Sequence, residues 1–233
     1  MIEIDLVRHG RTVFNEERRV QGVADSELTP NGRAQATALG RGLRLAGNTY
    51  GQIYSSDLKR AYDTATLTAA ELTDAPAVRQ DPGLREENYG HFESWPVDDY
   101  ARTVLGVPNF KNAIATGRYT LESIADKTFA ANAAENPAVT ESAAMVVARI
   151  DATLRRIAQR AEHTNSMRTL VVAHGTALLM WLAFAGKGQA GAESLKNCSV
   201  TSIYYDEGVF KIGEVNDTTY LESGIAVGRK AGK

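Results

Sequence analysis

The sequence predicts an α/β fold: a three-layer α/β/α arrangement around a mostly parallel central sheet, with an inserted helical cap. Three observations predict it. Short apolar strands alternate with amphipathic helices along most of the chain. Two of those strands end alike, in "LVRHG" (6–10) and "VVAHG" (171–175). An irregular stretch, 95–137, interrupts the alternation, with Gly and Pro breaking short helical patterns. The 233 residues therefore read as a single domain over 1–233 carrying a cap insertion at about 95–137.

The elements follow in chain order. "IEIDLV" (2–7) alternates and then turns continuously apolar, which predicts a strand. "LTPNGRAQATALGRGLRLAG" opens a helix, with Thr29 as N-cap and Pro30 in its first turn. Ala34, Ala38, Leu39 and Leu43 recur at helical spacing, and Gly47 ends it. "GQIYSS" is a short strand. A helix follows, capped by Ser56 or Asp57, with Leu58, Ala61, Ala65, Leu67 and Leu72 on its apolar side. "APAVRQ" is a further strand. In the cap, Trp95, Tyr100, Phe110, Tyr119 and Phe129 either form its core or wall an apolar ligand. The best helix follows Thr140, which can cap it, with Met145, Val146, Ile150, Leu154 and Ile157 as its stripe. "RTLVVAHG" is a strand, and "ALLMWLAFA" is a buried helix too short to span a membrane. "VTSIYYD" and "VFKIGEV" form a hairpin across "EG", and "GRKAGK" is a solvated tail.

Composition narrows the function classes. Hydrophobic residues are 43% and charged residues 23%, an ordinary globular balance. Lys plus Arg is 26 and Asp plus Glu 28, a formal charge of −2, so nothing advertises nucleic acid or a membrane as partner. Oligomeric state is not readable from these patterns. The one cysteine, Cys198, suits a reducing compartment and a core position. Glu3 and Asp5 interrupt the N-terminal apolar stretch, which argues against a signal peptide and for a cytoplasmic protein. Sequons at Asn197 and Asn216 read as chance matches. "GKGQAG" (186–191) matches a dinucleotide-loop pattern, but a helix precedes it where a strand is required, so it reads as a loop. No HExxH, CxxC or P-loop pattern occurs, and neither metal nor cofactor is expected.

The chemistry concentrates at strand ends, where open α/β sheets bind ligands. His9 and His174, two of only four histidines, should face one crevice. Gly10 and Gly175 let the backbone approach a ligand closely, and helices starting just beyond would point N–H groups at an anion. Arg60 falls in the first turn of a helix, against the helix dipole, at a third strand end. Lys59 beside it reads as an exposed cation. Glu86 and Glu87 follow the fourth strand. Two arginines, two histidines and a carboxyl group suffice for metal-free phosphoryl transfer. The arginines neutralise the phosphoryl oxygens, and the carboxyl protonates the leaving alkoxide.

As a set, "RHGRTVFN", "SSDLKRAYDTA", "LREENYG" and "VVAHG" resemble the histidine phosphatase superfamily, which includes the cofactor-dependent phosphoglycerate mutases. With "QGVADSELTPNGRAQA" and "TES", the resemblance spans about 1–95 and 140–182. It implies that His9 is the nucleophile and becomes phosphorylated. It implies that Arg8, Arg60 and His174 complete the phosphate pocket, with Glu86 as proton donor. Asn15, Gln21 and Gly22 would line the pocket, with Gly175 beside the ligand. A partner must then hold one N–H of His9 so that the other nitrogen can attack, and His174, if protonated, adds a positive donor. Mutases of the family are expected to carry a lysine soon after the acid motif and an arginine pair in the insertion. Here no lysine occurs before Lys111, and Arg102 and Arg118 are not adjacent. "VQG" also stands where mutases carry a "GW"-type segment. The expectation is a phosphatase of small phosphate monoesters. A 2,3-bisphosphoglycerate-dependent mutase is the alternative, and a catalytically silent phospho-ligand sensor is the alternative from another class. Ser94, where many relatives have glycine, puts the local turn in question but not the chemistry.

Overall fold

The computed structural model describes residues 1–115, 117–133, 140–186 and 194–231. Six strands, β1 (Ile2–Arg8), β2 (Gln52–Ser55), β3 (Val78–Gln80), β4 (Arg168–Ala173), β5 (Val200–Asp206) and β6 (Val209–Ile212), form one sheet in the order β3-β2-β4-β1-β5-β6. The first four in that order are parallel, and the β5–β6 hairpin adds an antiparallel edge. Its turn, Glu207–Gly208, has positive φ at both residues, as a tight hairpin requires.

The helices are α1 (Val13–Glu17), α2 (Pro30–Leu45), α3 (Lys59–Ala69), α4 (Val97–Tyr100), α5 (Phe110–Ala115), α6 (Leu121–Asn132), α7 (Ala143–His163), α8 (Gly175–Ala185) and α9 (Thr219–Ala231). Strand periodicity explains the layers. Ile2, Ile4 and Leu6 of β1 face a core shared with α7 and α8, while Val7 faces the core under α2, α3 and α9. A third, smaller cluster joins Val20, Phe92, Tyr100, Leu105 and Ile124 between the α1 loop and α4–α6. There the aromatics do two jobs at once: the rings of Phe92, Trp95, Tyr100 and Phe110 pack on one another, and two of them reach the cavity described below.

Several local expectations are corrected. The N-cap of α3 is Leu58, with no side-chain cap, because Arg85 takes both oxygens of Asp57. Ser142 caps α7, and Thr140 instead bonds the carbonyl of Asn88. Met145 is 49% exposed and lies off the α7 stripe. In α2 Ala34 is exposed, and Ala36 takes a buried place beside Ala38, Leu39 and Leu43. The tail belongs to a helix as far as Ala231: α9 packs on α2 so closely that a Cβ on Gly42 would lie 1.7 Å from the Tyr220 carbonyl oxygen, and one on Gly224 1.8 Å from that of Ala38. Apart from Gly186, the "GKGQAG" loop lies outside the described residues. Cys198 is buried, and burial pushes its thiol up to about 12.

Candidate active site

β1 and β4 are hydrogen-bonded neighbours, with Arg8 opposite Ala173. The next residues on each chain, His9 and His174, therefore stand side by side, both buried, with ring centroids 5.2 Å apart. Nδ1 of His9 lies 2.8 Å from the Gly10 carbonyl. A carbonyl only accepts, so Nδ1 carries the proton and Nε2 keeps its lone pair. His174 is the N-cap of α8, and neither ring nitrogen has a hydrogen-bond partner in the protein. Burial first, then the Arg60 and Arg8 charges, push His9 well below the usual imidazole range. Burial, Arg60 and His9 do the same to His174. The protein's own groups thus disfavour the charged form of His174, and a neutral imidazole offers one N–H.

The two arginines come from different elements, Arg8 from β1 and Arg60 from α3. Nη1 of Arg8 donates to the Leu195 carbonyl and its Nε is unpartnered. Arg60 is fully buried in α3; Nη1 donates to the Ala24 carbonyl (3.2 Å) and to Asp25 Oδ1 (2.9 Å), and Nη2 to the Gly22 carbonyl (2.7 Å). Its Nε is also unpartnered. Glu86 sits on the N-terminus of α8, its Oε2 accepting from Thr176 N–H (2.9 Å) and its Oε1 from Ala177 N–H (2.6 Å) and Glu87 N–H (3.1 Å). Such a helix end attracts negative charge.

A cavity of about 290 Å³ opens above these groups. Arg8, His9, Asn15, Gln21, Glu86 and Gly175 line it. Arg60, His174 and Gly22 are not on its wall. Arg60 and His174 are fully buried, and Gly22 acts through its carbonyl on Arg60. Gly22 has to lack a side chain, since a Cβ would lie 2.1 Å from the Glu87 carbonyl oxygen. Asn15 and Gln21 bond each other and Thr12. Glu87 also lines the cavity; burial, then Glu86 and Glu141, push its carboxyl well above the usual range. Lys59 is exposed and pairs with Asp63.

Three residues that sequence reasoning passed over shape the site. Glu93 accepts N–H bonds from Gly22, Val23, Ala24 and Tyr89 at 2.9–3.0 Å, and so fixes the loop whose carbonyls hold Arg60. Arg149 grips both oxygens of Glu141 and donates to the carbonyls of Gly83, Arg85 and Glu86, which holds the acid segment to α7. The Asn197 amide donates to the His9 carbonyl and to Asn15. Its sequon was the only signal, and it pointed elsewhere.

Comparison with known proteins gives the family. The family model described as histidine phosphatase superfamily (branch 1) matches residues 4–218. The chain belongs to the histidine phosphatase superfamily. It is 32% identical over 232 residues to a probable phosphoglycerate mutase GpmB of Yersinia pestis (strain Pestoides F), covering 95% of this chain and 96% of that one. Among solved structures it resembles a phosphoglycerate mutase from Bacillus anthracis at 28% identity and TM-score 0.86, covering 96% of each chain. It also resembles a mycobacterial glucosyl-3-phosphoglycerate phosphatase at 25% identity and TM-score 0.69, covering 93% of this chain and 99% of that one. In this histidine phosphatase superfamily member, no helix among the described residues is long and apolar enough to cross a membrane. Ser94 resolves its turn by adopting the left-handed conformation itself, at φ +67.

Proposed function

We propose that this chain is a metal-independent, cytoplasmic phosphatase of small phosphate monoesters, working through a phosphohistidine on His9. The observation that carries the proposal is the His9 tautomer. Nδ1–H is held by Gly10 at 2.8 Å, and the free Nε2 shares a cavity with Arg8 and the Glu86 carboxyl. In the first step the Nε2 lone pair attacks phosphorus and the P–O bond to the alcohol breaks. Glu86 takes up the proton brought by the monoanionic ester and gives it to the departing oxygen, and the alcohol leaves. Arg8 on the cavity wall, with its Nε–H unpartnered, is the direct donor for the phosphoryl oxygens, and the unpartnered Arg60 Nε–H and His174 ring, buried behind the wall, back it. In the second step Glu86 takes a proton from water, the hydroxide bonds to phosphorus, the P–N bond breaks, and inorganic phosphate leaves.

The names of the relatives favour a second reading, a mutase. A mutase has to hold a carboxylate and a second phosphate beyond the clamp. Among the described lining residues the further cation is Arg19, which already donates to Glu17 and to the Ser94 carbonyl. That supports hydrolysis over return of the phosphoryl group. The test is turnover of p-nitrophenyl phosphate, expected to resist EDTA and to be inhibited by vanadate. An acid-labile ³²P label should be trapped on the wild-type protein and absent from His9→Ala. Full activity in His9→Ala, or isomerisation of 3-phosphoglycerate faster than any hydrolysis, would overturn the proposal. No turnover with tight phosphate binding would point to a sensor.

A further inference from the structure

Beyond the phosphate clamp the cavity changes character. Its wall there is Val97, Tyr100, Phe110 and Ile124 from the segment around α4–α6, Leu179 from α8, and Leu195. Tyr100 presents its ring, since its hydroxyl is engaged with Thr128 Oγ1 at 2.5 Å, away from any ligand. Most polar groups of the wall are already bonded within the protein. Gln21 is held by Thr12 and Ser26, Asn15 by Thr12 and Asn197, and the Tyr89 hydroxyl by Thr176. Arg19 is bonded to Glu17 and Ser94. Facing the chamber from the acid side are Glu86 and the buried Glu87, whose Oε1 has no partner.

A leaving group that enters this chamber gives up its water. A glycerate or a sugar would lose hydrogen bonds that this largely apolar wall does not return in full. An alkyl or aryl group loses nothing and gains by burial. We propose that the physiological substrate class is the phosphate monoester of an apolar, uncharged alcohol, recognised by the Val97–Tyr100–Phe110–Leu179 chamber. The inference rests on the phosphatase reading and assigns that activity its substrate class.

The experiment compares the n-alkyl phosphates from ethyl to hexyl with 3-phosphoglycerate, alongside binding of the matching alkylphosphonates, which are not turned over. kcat/KM is expected to rise about fourfold per methylene until the chamber is full, and phosphonate affinity to rise in parallel. Hexyl phosphate should exceed 3-phosphoglycerate by roughly 100-fold. Phe110→Ala should lower the hexyl-to-ethyl ratio about tenfold, and Phe110→Arg should shift preference toward 3-phosphoglycerate. Hydrolysis without a chain-length gradient, or 3-phosphoglycerate at the level of the hexyl ester, overturns the chamber assignment and leaves the phosphatase standing. A phosphonate gradient without hydrolysis of any ester supports the chamber and overturns the phosphatase. Flat phosphonate affinities overturn the chamber whatever the turnover.

Discussion

Two strand ends with the same last letters, His-Gly, differ in everything that follows them. At the end of β1 the chain turns on Gly10, and its carbonyl folds back onto the His9 ring at 2.8 Å. At the end of β4 the chain enters α8 at once, and the first N–H groups go to Glu86 rather than to His174. One imidazole is thus pinned in a single tautomer with a defined free nitrogen. The other is left with both nitrogens unpartnered. In the proposed mechanism the same motif serves as the attacking group in one place and as a donor to the phosphoryl oxygens in the other, and the local turn makes the difference. Residue identity alone does not.

The largest expected effect separates the two ends directly. His9→Ala removes the nucleophile and should lower kcat by about 10⁴-fold or more, with no labelled phosphoenzyme. His174→Ala removes one donor to the phosphoryl oxygens and should cost about 10²–10³-fold, while the label still forms on His9. Equal losses with no label in either variant would break the assigned division of roles.

That division was half legible in the sequence. Paired strand ends bring His9 and His174 side by side because strand polarity and element order decide it, while of the four expected groups His9 and Glu86 line the cavity and His174 and Arg60 are buried behind it. The neighbours that orient them were not legible, since they act from far along the chain. Glu93 reaches back to 22–24, Asn197 to 9, and Arg149 to 83–86. No local pattern marks a residue whose partner is 60–190 positions away. The helix at the C-terminus was missed for a different reason. Gly224 and Gly228 lower helix propensity, yet Gly224 is what lets α9 lie against α2.

Glu93 offers a way to sharpen the comparison through Arg60, whose charge acts on both histidines. Gln at this position keeps one carbonyl oxygen to serve four N–H groups, so the 22–25 loop loosens around the guanidinium. Glu93→Gln should lower kcat/KM about tenfold and weaken vanadate binding. Combined with Arg60→Lys, the losses should be far from additive if Glu93 acts through Arg60. Additive losses would mean a general structural role.

Proton binding gives a smaller, signed effect. Both histidines are pushed below the ordinary value of 6.5, burial being the largest cause. An imidazole with that ordinary value would lose about tenfold in kcat/KM at pH 5.5; here the expected loss is smaller than that, read from the pH profile. Stability has the matching sign. Below pH 6.5 the unfolded chain takes up protons that folded His9 and His174 refuse, so their contribution is complete above 6.5 and falls away as pH drops. Glu87, raised above 4.5, works in the opposite direction: its contribution is present below 4.5 and is lost as pH rises through its folded value. His174→Phe should therefore flatten the fall in Tm between pH 7 and 5.5, and an unchanged slope would contradict the burial argument.

The smallest effect belongs to a residue that touches neither strand end. Ser94 holds φ +67, a left-handed conformation that costs a residue with a Cβ about 1 kcal/mol. Its role in the turn is carried by the backbone, whose N–H donates to the Val20 carbonyl at 3.0 Å and whose carbonyl accepts from Arg19 Nη1 at 2.8 Å. Glycine keeps both bonds and removes the strain, while the greater freedom of the unfolded glycine chain returns roughly half of the gain. Ser94→Gly should then raise stability by about 0.5 kcal/mol in urea titration and leave kcat/KM unchanged, because the bonds that hold Arg19 are kept. A loss of stability would mean that the Ser94 side chain, and not only its backbone, supports the turn.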